Sequence, residues 1–136
     1  MLNHLNPLEW TEATWSAFFW VMAAWNFALA LPALFKPTLG VRILFGFARD
    51  DSLSRAQQQL VSLGILVFGV AYALVALDPG SGAGLVRLGI IGKLTVLAAF
   101  AVLHHQGRAT KIALAMVLGD GLWSVFFGLF LLRSTS

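Results

Sequence analysis

The 136-residue chain is 59% apolar and only 11% charged, with a mean hydropathy of +0.83. Soluble domains carry about 25% charged residues, and a chain this apolar cannot cover its surface with polar groups in water, so it reads as a small integral membrane protein. It has no cysteine, which excludes disulfides, thiolate metal sites and cysteine nucleophiles, and its net charge of +3 comes from Lys and Arg placed mostly at the ends of apolar runs, where they set topology instead of binding nucleic acid.

The amino-terminal segment carries Glu9 and Glu12 and lacks a basic start, so it is expected to be retained and not cleaved as a signal. Residues 13–35 form the first predicted span, stopped by Lys36-Pro37. In loop one, Val41, Ile43, Leu44, Phe45 and Phe47 alternate with Arg42 and Arg49. That pattern predicts a short amphipathic segment in the headgroup layer. Asp50-Asp51-Ser52 supplies a helix start ahead of the second span, 58–77, which Asp78-Pro79-Gly80 ends. The third span is 85–103, closed by His104-His105-Gln106-Gly107. The fourth runs from Thr110, an N-cap, to residue 132 before Arg133.

These elements predict one all-α domain over residues 1–136, an antiparallel bundle of four transmembrane helices. Eight strands of a β-barrel would exhaust the chain. Small residues spaced for close helix approach are Ala13 and Ala17, Ala24 and Ala28, Gly69 and Ala73, Ala115 and Gly119, and Gly121 and Gly128. The short second and third loops are expected to keep consecutive helices adjacent. Trp10, Trp15 and Tyr72 are expected at an interface, with Trp20, Trp25 and Trp123 deeper. Loops one and three hold Lys36, Arg42, Arg49, Arg55, Arg108 and Lys111 against Arg87 and Arg133 on the opposite side. This is expected to place those loops in the cytoplasm and both termini outside.

Ionisable groups at membrane depth are costly and face a bundle interior or a wet cavity. Lys93 lies about 12 Å, Asp120 about 18 Å and Asn26 about 20 Å from the ends of their helices, at 1.5 Å per residue. All three can meet near the bilayer centre. Tyr72 and Ser124 join them as candidate ligand-binding residues, and Glu12, Trp15 and Arg87 mark an outward-facing mouth. The Lys–Asp pair can instead serve only to fix helix register, so packing and binding both stay open. The expected occupant is a quinone, a lipid or another apolar molecule.

Other chemistry is set aside. Residues 80–84, Gly-Ser-Gly-Ala-Gly, lack the strand and Lys-Ser/Thr of a phosphate loop. His104 and His105 diverge by about 100° on a helix and His4 lies on the other side, which argues against haem or zinc within one chain. No histidine matches the depth of Ser16, Ser62 or Ser124, which argues against a serine hydrolase.

The stretch from Asn26 to Pro32, Gly69-Val70-Ala71-Tyr72, Gly92-Lys93 and Gly119-Asp120 resembles small bacterial four-helix membrane proteins near the DoxX-like group. That group carries a glycine followed further on by Lys-Leu in its first helix, whereas here Gly92-Lys93-Leu94 is in the third. The resemblance implies a membrane subunit working with a redox or quinone-linked partner and supplies no catalytic residues. Three functions fit the residues. One is a binding or accessory subunit for a lipid-like or quinone-like molecule or a larger complex. The others are an oligomeric transporter or channel using Asp120 and Lys93, and a membrane enzyme acting on an apolar substrate.

Overall fold

The computed structural model describes residues 5–46 and 51–133. His4, Phe47, Arg49 and Asp50, named above, lie outside them. The described residues form five α-helices and no strand: α1 (Glu12–Phe35), α2 (Pro37–Phe45), α3 (Ser52–Leu77), α4 (Ala83–His105) and α5 (Lys111–Leu132). Four of them, with 24, 26, 23 and 22 residues, are long and apolar enough to cross a membrane, as a multi-pass membrane protein requires. Large apolar side chains such as Val67, Leu74, Ile91 and Leu122 are more than half exposed, which only a lipid surround tolerates in such number.

Local capping chemistry sets the helix ends. The Thr11 hydroxyl accepts from the Thr14 N–H at 3.2 Å and starts α1. Lys36 leaves helical geometry and Pro37 opens α2 at its first turn, where a missing N–H costs nothing. Asp51 accepts from the Ser54 N–H at 2.8 Å and starts α3; that hydrogen bond holds its carboxyl below the ordinary carboxylate range. Asp78-Pro79 ends α3, and Thr110 caps α5 by accepting from the Ala113 N–H at 3.1 Å. α4 exceeds the expected 85–103 span by two residues at each end, as terminal turns commonly do.

The closest-packed pairs are α1 with α3 and α4 with α5, while α3 and α4 meet over a shorter stretch despite the tight turn joining them. Three polar contacts bind α1 to α3 in reversed order along the chain. Ser16 donates to the Ala76 carbonyl at 2.6 Å, Asn26 to Ile65 at 3.1 Å, and Gln59 donates back to Leu34 at 3.2 Å. Gly69 admits Phe27 and Asn26 of α1, since a Cβ there would lie 2.9 Å from Phe27 Cε1. Gly121 likewise lies against Leu97. The other small residues behave differently: Ala13, Ala17, Ala24, Ala28 and Ala115 are exposed, and a Cβ on Gly119 or Gly128 would touch nothing within 4 Å. Small residues are common on every face of such helices, so their spacing alone does not mark a contact.

Glycines at the start of α4 and within it shape the α3–α4 contact. A Cβ on Gly82 would lie 2.7 Å from Val75 Cγ1, one on Gly89 2.9 Å from Tyr72 Cε1, and one on Gly92 3.0 Å from Phe68 Cζ. Beyond Gly92 α4 continues as Lys93, Val96, Ala99 and Phe100, and the two helices part around an internal space.

Aromatic rings fill the half nearer Glu12 and Arg133. Trp15, Phe19, Tyr72, Phe127 and Phe130 are at most 1% exposed and form one core cluster. Ring pairs such as Phe19–Phe130 at 4.9 Å and Tyr72–Phe127 at 5.2 Å meet edge to face, the preferred quadrupole geometry. Trp15 and Tyr72 thus pack in the core, while Trp20 is 47% exposed. At the opposite end α2 packs as a cover. Its Gly40 and Val41 are buried. The Thr110 N–H donates to the Leu44 carbonyl at 3.0 Å and the Thr110 hydroxyl to Ile43.

Candidate functional site

The space between the parting helices is a cavity of about 440 Å³, within the range of about 300–1,000 Å³ typical of small-molecule sites. α1 contributes Asn26, α3 contributes Tyr72 and Phe68, α4 contributes Lys93 and α5 contributes Asp120. The remaining wall is largely aliphatic and aromatic, and its far end reaches Ile43 and Leu44 of α2.

Lys93 is held by three neighbours. Its Nζ donates to Asp120 Oδ1 at 2.8 Å, and the two side chains are 7% and 18% exposed. The same ammonium lies 5.5 Å from the Tyr72 ring centroid and 5.8 Å from that of Phe127, within range of a cation–π attraction. Gly89, one turn before Lys93, makes this possible by letting the phenol lie across α4, since a Cβ there would come 3.1 Å from the Tyr72 hydroxyl. The pair therefore has a compensating charge, two ring faces and one open side toward the cavity. A charge-assisted hydrogen bond of this length is short and strong. Its uncovered polar surface can exchange hydrogen bonds with a molecule in the cavity.

Four of the expected binding residues, Asn26, Tyr72, Lys93 and Asp120, line this one space. Asn26 is partly committed to helix packing through Ile65. Ser124 stands apart from them: its hydroxyl donates to the Asp120 backbone carbonyl at 3.0 Å and it does not line the cavity. A helical serine commonly satisfies itself this way, four residues back on its own helix.

The residues of the expected outward mouth, Glu12, Trp15 and Arg87, lie apart from the cavity. Trp15 is fully buried in the aromatic layer, which plugs that end. Glu12 is paired with Arg133 at 3.4 Å. Arg133 also donates to the carbonyls of Phe130 at 2.9 Å and Pro79 at 3.1 Å, and its guanidinium stacks 3.6 Å above the Phe130 ring. This cluster ties the start of α1, the α3–α4 turn and the end of α5 together. Arg87 is exposed and lines neither described cavity. The cavity extends the other way, toward α2, with Val61 and Gly64 of α3 facing Val96 and Ala99 of α4 along its open flank.

Gln58, which the sequence pattern marks only as the end of a span, is a further polar wall residue. It is 4% exposed, donates to Ser62 at 3.4 Å and borders the cavity beneath Gly40. The available signal was the Gln58–Ser62 spacing of four, which puts both on the helical face that also carries Ile65 and Gly69. Away from the cavity, the His104 ring Nδ1 lies 3.1 Å from the Ala109 carbonyl. No group of three potential metal-binding side chains occurs among the described residues. No family model matches the chain, and no curated protein or solved structure matches it.

Proposed function

We propose that the protein is a membrane-embedded binding subunit that holds one apolar molecule with a polar head. The head meets Lys93 and Asp120, and the apolar body lies along the α3–α4 flank. The observation that carries this reading is a buried ion pair facing a mostly apolar cavity of about 440 Å³. A pair that served only helix register would need no such space beside it. Lys93 donates and Asp120 accepts, so the pair suits a head bearing a carbonyl and a hydroxyl, as in a quinone–quinol couple or a hydroxylated lipid. A redox or quinone-linked partner, implied by the resemblance to the DoxX-like group, is a natural setting for such a subunit.

In this reading the four long helices form an antiparallel bundle in a bacterial inner membrane, and α2 lies in the headgroup layer. Loops one and three face the cytoplasm and both termini lie outside. The cavity then opens into the cytoplasmic leaflet. The aromatic layer of Trp15, Phe19, Phe127 and Phe130 seals its other end, which favours holding over passage through a single chain.

Native mass spectrometry of gently extracted protein tests this. The expected result is a retained apolar small molecule with a polar head. Asp120→Asn should weaken its retention about 10- to 100-fold, the loss of one hydrogen bond to a charged group. Full retention by a well-folded Asp120→Asn protein would reduce the pair to a packing device.

A further inference from the structure

We infer that the protein carries a second, adjoining lipid site: a groove at its basic end that takes the acyl chain and phosphodiester head of an anionic phospholipid. The groove measures about 630 Å³. Its apolar floor is built from Leu44, Leu60, Val61, Phe100 and Leu103, and its rim from Ser54, Gln57 and Arg108. Val61 and Leu60 are 52% and 68% exposed, so the floor lies open toward the acyl-chain layer. The rim sits at the first turns of α3 and in the turn after α4.

Charge selects the head. At this end stand Lys36, Arg42, Arg55, Arg108 and Lys111, against Asp51 alone among the described residues. Asp51 is occupied in capping α3. The Arg108 guanidinium has no hydrogen bond or ion pair among the described residues, whereas Arg133 at the other end is fully engaged. Arg108 therefore offers its planar donor fork to a phosphodiester oxygen. Ser54 and Gln57 add a hydroxyl and an amide to the lining of the same groove. An acyl chain descending from that head covers the apolar floor, which a free phosphate would leave bare.

Leu44, Gln58, Val61 and Phe100 border both the groove and the deep cavity. A lipid in the groove thus sits at the mouth of the deeper site. The assignment stands on Arg108 and the groove walls and does not require the deep cavity to hold a ligand.

The test is native mass spectrometry of delipidated full-length protein offered phosphatidylglycerol or phosphatidylcholine of identical chains, with glycerol phosphate as the chain-free probe. Phosphatidylglycerol should be retained about fivefold better than phosphatidylcholine, the factor one basic side chain supplies near an anionic headgroup, and glycerol phosphate should not be retained. Arg108→Gln should erase the preference with an unchanged melting temperature, and Arg108→Lys should keep part of it. Asp120→Asn should leave the preference intact, which separates this site from the deep one. Equal retention of the two lipids, an undiminished preference in Arg108→Gln, or retention of glycerol phosphate alone would overturn the assignment.

Discussion

Lys93→Met alone should destabilise the fold by about 3 kcal/mol, and adding Asp120→Leu should restore most of that loss. Removing one member of a buried ion pair leaves the other desolvated without compensation, which typically costs 3–5 kcal/mol; the lower end applies because Asp120 keeps 18% side-chain exposure. Replacing both members with apolar side chains of similar size removes the desolvation penalty together with the attraction. The cation–π contacts to Tyr72 and Phe127 are lost in both variants and set the small residual deficit. Unfolding in mixed micelles of increasing denaturing-detergent content reads the three proteins directly. Equal stability of the single and double variants would show that the pair is not electrostatically coupled. The double variant, though stable, should retain no polar-headed ligand, which separates the pair's binding role from its structural one.

Filling the cavity should abolish binding while leaving the fold intact. Gly64 is the position for this, because it lines the cavity and a Cβ there would touch nothing within 4 Å. Gly64→Trp should lower ligand retention at least tenfold, since the indole takes the volume the ligand's body needs. Its melting temperature should hold or rise, because a helix-interior glycine costs up to about 1 kcal/mol relative to better helix formers. Gly89 could not serve, since a side chain there would strike Tyr72 and Phe127. Retention unaffected by Gly64→Trp would place the ligand elsewhere.

Much of the fold was legible because helix ends follow local chemistry. Lys36-Pro37, Asp51-Ser52, Asp78-Pro79-Gly80 and Thr110 all stop or start helices where their side chains and rings dictate. The meeting of Lys93 and Asp120 was legible for a different reason: charges at that depth need a partner. The direction of the cavity was not. In a membrane helix both the lipid face and the protein face are apolar, so periodicity says little about which side packs. Ala24 and Ala28 could not be told from Gly89 and Gly92 by spacing, although only the glycines admit rings from α3. Trp15 and Tyr72 read as interfacial aromatics, and spacing gave no sign that both rings pack against Phe19, Phe127 and Phe130 in the buried core. Gln58 was obscured by its neighbours Gln57 and Gln59, which are exposed while it is buried.

The most direct test of the account is a crystal structure of protein taken from its native membrane into a lipidic phase without delipidation. Elongated non-protein density is expected in contact with the Lys93 and Asp120 side chains, running out between Val61 and Gly64 on one side and Val96 and Ala99 on the other. A cavity collapsed around Phe68 and Phe100, or one in which Lys93 and Asp120 have separated toward opposite headgroup layers, would contradict it.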